Sequence, residues 1–125
     1  MPTLTQAPTL GDLLKYEAPN LYSREPATVA AGQNLPLGAV VGRVTATGKL
    51  EALDPSATDG TEVAAGVLGN DVDATLIDRD DAILIARHAI VARGALVWPA
   101  SITAAQRAAA IAKLESLGIL VRDSA

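Results

Sequence analysis

The chain has no cysteine and no phenylalanine, and only one tryptophan, one histidine and two tyrosines in 125 residues. Without cysteine there are no disulfides and no thiolate metal sites, and nothing follows about redox compartment. Without phenylalanine, and with alanine making up much of the nominal hydrophobic half, the core is expected to be thin and aliphatic. With His88 as the only histidine, a metal site would need carboxylates and a Ser-His-Asp triad would need His88 as its base. No G-x-S-x-G supplies a nucleophile elbow. The glycines at 38, 42, 48, 60, 66 and 69 form neither G-x-G-x-x-G nor a P-loop, and their spacing fits turns and bulges. Asn70-Asp71-Val72-Asp73 imitates the start of a calcium loop, but Leu76 stands where glycine is needed and Ala82 does not supply the closing glutamate. No enzyme chemistry, cofactor or metal is therefore expected, and His88 is expected on a strand surface or an interface.

No run approaches the roughly 18 apolar residues of a membrane span, and the N-terminus lacks the basic and apolar regions of a secretory signal. The expectation is one soluble domain, made in the cytoplasm of its cell, burying roughly two thirds of its unfolded surface. The net charge of −4 is uneven. Residues 54 to 81 carry eight acids against Arg79 alone, a balance of −7, while residues 82 to 125 carry five cations against two acids, a balance of +3. That asymmetry fits either contacts between copies of the chain or ordinary solvated loops. An acidic chain with no Lys/Arg cluster and three stacking aromatics disfavours nucleic-acid binding.

What is present is organised around Gly94 to Gly118. Thr103 with Gln106 forms a capping box, Ala104 to Leu117 is alanine-rich without Gly or Pro, and Gly118 stands at the C′ position. A helix is predicted over 104–117. Ile111, Leu114 and Leu117 form an apolar stripe, and Ala105, Ala109 and Ala112 a small-residue flank. Arg107 either snorkels along the core or marks a first turn lying outside it. Leu96-Val97-Trp98-Pro99 predicts a strand running into a corner, with Trp98 under the helix start.

Residues 1 to 27 contain Pro2, Pro8, Pro19 and Pro26, which exclude a long helix, yet carry apolar anchors untypical of disordered tails. They form either an extended arm satisfied by another surface or a segment folded back on its own domain. From Thr28 the pattern is strand and turn. Residues 38–44 and 49–53 predict a hairpin with Gly48 at positive φ; 54–60 a loop; 63–68 a short strand; 74–77 a brief one; 82–91 the longest; and 119–121 a closing strand. The fold class is α+β, mainly β: a small domain of short antiparallel strands with one late helix.

The succession Lys49-Leu-Glu-Ala-Leu53, Thr58-Asp-Gly60 through Gly66-Val-Leu68, and Val97-Trp98-Pro99 before an alanine-rich helix and an aliphatic strand resembles the phage lambda-type head decoration protein family over roughly residues 28 to 121. The acidic loop Asn70 to Asp81 and the final helix are longer than in that family's pattern. The resemblance implies a β-clip-like decoration domain, residues 28–125, behind a capsid-binding N-terminal arm, residues 1–27. It implies a virion protein that binds the outside of the expanded head as homotrimers at three-fold positions, stabilising it against packaged DNA, with the major capsid protein as partner. Leu10, Leu13, Leu14, Tyr16, Leu21 and Tyr22 are the expected arm anchors. Trp98, Pro99, Ala105, Ala109, Arg87 and Arg93 are expected at the trimer interface. The alternative is a small β-rich adaptor or assembly domain that binds another protein through its arm.

Overall fold

A computed structural model describes residues 9–123. In chain order the elements are α1 (Leu10–Leu13), β1 (Leu14–Glu17), β2 (Arg24–Val29), β3 (Gln33–Leu35), β4 (Val40–Arg43), β5 (Leu50–Ala52), β6 (Ala64–Leu68), β7 (Val72–Ala74), β8 (Arg79–Ile85), β9 (Ala89–Ala92), α2 (Ala104–Ser116) and β10 (Ile119–Arg122). Five strands close into a barrel in the order β2-β5-β4-β6-β8. Beside it lie a three-stranded sheet, β1-β9-β10, and a two-stranded ribbon, β3-β7.

The barrel strands serve two cores, one on each face. Val41, Leu68 and Leu84 belong to a cluster to which all five barrel strands contribute, which places it in the barrel interior. Their chain neighbours Val40, Val67 and Ile85 point the other way, into a second cluster with Leu13, Val91, Leu114 and Ile119. Successive side chains alternate across a strand, so a strand buried on both faces shows an unbroken apolar run. Gly42 in β4 is required by close approach, since a Cβ there would sit 2.5 Å from the Thr61 Cα.

Helix α2 forms as its sequence dictates. The Gln106 N–H donates to Thr103 Oγ1 (3.1 Å) and the Thr103 N–H to Gln106 Oε1 (2.9 Å), closing the capping box. Gly118 ends the helix at φ +85°. Leu114 is fully buried and Ala110 nearly so, while Ile111 and Leu117 are half-buried and Ala105, Ala109 and Ala112 exposed. The helix thus packs through one apolar stripe and leaves its alanine flank in solvent. Arg107 is exposed, its guanidinium 5.9 Å from the Trp98 ring centroid, in the first part of the helix outside the core.

The β4–β5 hairpin forms, with Val41 opposite Ala52 and Gly48 at φ +75°. Other local expectations shift. The run 82–91 is two strands, β8 and β9, separated by a turn at His88, whose φ is +50°. His88 is therefore a turn residue and not a strand residue. The strand near 74–77 lies earlier, at β7, and residues 96–99 contribute only an isolated parallel bridge between Val97 and Ala39. Most pairings are antiparallel, but β9–β10 and the single β2–β5 pair are parallel.

From Leu10 onward the described N-terminal residues pack on the domain itself. The expected boundary between Ala27 and Thr28 falls inside β2, a barrel strand paired with β8. Ahead of it β1 pairs with β9, and Leu13 at the end of α1 is fully buried. Pro2, Leu4 and Pro8 of the expected arm lie outside the described residues.

Candidate protein-interaction surface

The six expected arm anchors divide into two sets. Leu13 is buried, and Leu10 and Leu14 are half-buried against the same core. Tyr16, Leu21 and Tyr22 are exposed, at 52%, 58% and 54%. The exposed three lie on β1 and in the turn from β1 to β2, which folds as a short 3₁₀ segment over Pro19–Leu21. Strand β1 forms one edge of its sheet, with β9 as its partner.

Ser23, itself fully buried, organises this turn. Its Oγ accepts from the Ala18 N–H (2.8 Å) and donates to the His88 carbonyl (2.7 Å), tying the β1–β2 turn to the β8–β9 turn. The Ser23 carbonyl accepts from the Ala86 N–H (2.8 Å). A buried hydroxyl that satisfies two backbone groups is costly to remove, because both would be left unpaired. Above it the Tyr22 and His88 rings meet edge to face, centroids 5.2 Å apart. Arg87 closes the cluster: Nη1 donates to the Tyr22 carbonyl (2.7 Å), Nη2 to Glu25 (3.0 Å), and the guanidinium lies 5.2 Å from the Tyr22 ring. Glu17 and Arg24 form a two-pronged ion pair, both contacts 2.8 Å, that clamps β1 to β2. The Arg24 hydrogen bonds hold the Glu17 carboxyl below its ordinary value.

Two residues of this corner, Leu21 at φ +58° and His88 at +50°, occupy the left-handed region. For residues with a Cβ this costs about 1–2 kcal/mol each, sustained here by the surrounding hydrogen bonds. Gly118 permits the approach of α2's end, since a Cβ there would meet His88 Cδ2 at 2.8 Å. Exposed apolar side chains therefore sit over a buried hydrogen-bond network at this corner. Tyr16, Leu21 and Tyr22 are exposed apolar residues of a Pro-punctuated stretch and so stand out in the sequence, whereas Ser23 and the role of His88 do not, because the contacts that define both span 65 residues.

The residues expected at a subunit interface lie elsewhere, with one exception. Trp98 and Pro99 are half-buried, and Ala105 and Ala109 are exposed on α2. Arg93 is exposed and paired with Asp123 (3.0 Å). Arg87 belongs instead to the Tyr22 corner of its own copy. The carboxylates of the calcium-like stretch have local partners: Asp71 accepts from the Leu37 N–H, and Asp73 from the Thr75 N–H and hydroxyl. Among the described residues no group of three or more His, Asp or Glu is placed to hold a metal ion, and no helix is long and apolar enough to cross a membrane.

The described residues thus form a small barrel with exposed apolar side chains on its N-terminal edge. The comparison with known families is specific: the chain belongs to the bacteriophage lambda head decoration protein D family, whose pattern matches residues 3–119. No curated protein matches it. Family membership makes it a phage head structural protein associated with the virion capsid, in a family that is not one of enzymes.

Proposed function

We propose that the protein cements the expanded phage head: made in the host cytoplasm, it binds the outer shell as homotrimers at three-fold positions and stabilises it against packaged DNA without catalysis. The observation that carries this reading is the Tyr16-Leu21-Tyr22 corner, exposed apolar surface held rigid on an edge strand at the N-terminal side of the domain. Leu10, Leu13 and Leu14 anchor the root of the N-terminal segment in the domain, and Tyr16, Leu21 and Tyr22 face the major capsid protein. The free edge of β1 is suited to pairing with an added strand. Three such contacts on one trimer act together, so avidity holds the knob although each contact is modest. Trp98, Pro99, Ala105, Ala109 and Arg93 remain with the subunit interface, while Arg87 moves to the shell-facing corner because its hydrogen bonds are committed there.

Co-sedimentation with expanded, undecorated heads and with unexpanded proheads tests this. Saturable binding to expanded heads alone, weakened at least about tenfold by Tyr22→Ala, is the expected result. Binding to neither shell would overturn it in favour of a β-rich adaptor that recruits another protein through the same edge.

A further inference from the structure

Two surface features are left unused by the shell-facing corner. The first is the turn between β7 and β8, where Leu76 and Ile77 are 89% and 64% exposed. The turn is pinned on both sides: Asp73 accepts from Thr75, and Asp78 accepts from the Ala31 N–H and Lys49. Asp80 beside it has no ion-pair partner among the described residues. Two aliphatic side chains are thus held out into water beside Asp73, Asp78, Asp80 and Asp81, which outnumber the two cations there, Arg79 paired with Asp81 and Lys49 paired with Asp78. The second feature is a groove of about 650 Å³ between the start of α2 and the segment before it. Val97, Trp98, Ala108 and Ile111 floor it, and Arg93 and Arg107 stand at its rim. Arg107 has no carboxylate partner among the described residues and lies over the Trp98 ring.

We infer that the Leu76–Ile77 turn of one copy docks in the Trp98 groove of the next, with the carboxylates of the turn against Arg93 and Arg107. The occupant follows from complementarity within one chain: an aliphatic tip with a net excess of carboxylates, and a groove of mixed lining beside Trp98 where Arg107 is unpaired among the described residues and Arg93 is shared with Asp123. A contact between two different patches of the same molecule is heterologous, and such contacts form closed rings when the rotation between copies closes. Burying Leu76 and Ile77 removes from water the two most exposed large apolar side chains among those described. The charged rims fix orientation and speed encounter more than they add affinity. The inference rests on the trimer reading above, for which it supplies the contact.

The chain lacks cysteine, so introduced thiols are the only ones present. Leu76→Cys and Ala108→Cys, both at exposed positions, are prepared separately with distinguishable masses, mixed, and oxidised in concentrated solution and again on expanded heads. A disulfide joining one copy of each variant is expected, with neither variant alone giving a comparable product. Arg107→Glu is expected to weaken association at least about tenfold, with partial recovery when combined with Asp80→Arg. Trimers by sedimentation or by mass on the head, without the mixed disulfide, would overturn the contact and leave the trimer standing. Tip-to-tip Leu76→Cys dimers alone would also overturn it. Single copies both in solution and on the head would remove the trimer reading, and this contact with it.

Discussion

Leu13→Ala separates a domain-rooted N-terminus from a detachable arm. Leu13 is fully buried in the cluster that also holds Val91, Leu114 and Ile119. Replacing a buried leucine by alanine costs about 2–5 kcal/mol, depending on how far the site collapses. Helix α1 is only four residues long and can settle partly into the cavity, so a cost of about 3 kcal/mol is expected. For a domain of this size that lowers the thermal midpoint by roughly 10 °C. Urea unfolding followed by circular dichroism should show the midpoint falling with unchanged slope. Leu21→Ala in parallel removes a side chain that is 58% exposed and should change stability by no more than about 0.5 kcal/mol. A Leu13→Ala midpoint within about 2 °C of the parent would refute the reasoning and show that Leu13 does not root the N-terminal segment in this core.

Leu21→Gly is expected to raise stability by about 1 kcal/mol in chemical denaturation, since it relieves a left-handed residue, while weakening head binding by losing an exposed contact. Gly42→Ala should destabilise by about 2 kcal/mol or more, because its methyl group would overlap Thr61 backbone, and thermal melts read this directly. Thr103→Ala should cost about 1 kcal/mol through loss of the α2 cap, measured by urea midpoint. On acidification, Glu17, held low by Arg24, and Asp78, held low by Lys49 and the Ala31 N–H, have folded-state values below their unfolded ones. Their stabilisation is therefore complete above the unfolded carboxylate values near about 4 and is lost as pH falls through the folded ones. Glu17→Gln should flatten part of that loss in a pH series of melts.

Much of the fold was legible where the determining signals are local. The α2 cap depends on residues three apart, the β4–β5 hairpin on one glycine, and the C-terminal stop on Gly118. The division of 82–91 into two strands was hidden because Leu84 and Ile85 face different cores, so apolar residues continue up to a turn that His88 makes at positive φ. The inward packing of Leu13 was hidden by the four prolines around it, which mark where a helix cannot run but not what the segment packs against. The exposed anchors Tyr16, Leu21 and Tyr22 could be nominated as apolar residues in a polar, Pro-punctuated stretch. Their support, Ser23 bonded to His88 across 65 residues, carries no local signature.

The central claim is that this domain sits on the expanded head as trimers with its N-terminal edge toward the shell. Cryo-electron microscopy of heads saturated with the purified protein tests it most directly. The expected density is a three-lobed knob at three-fold and quasi-three-fold positions, with Tyr16, Leu21 and Tyr22 against the capsid protein. Knobs of another symmetry, or trimers whose β1 edge points away from the shell, would contradict the account.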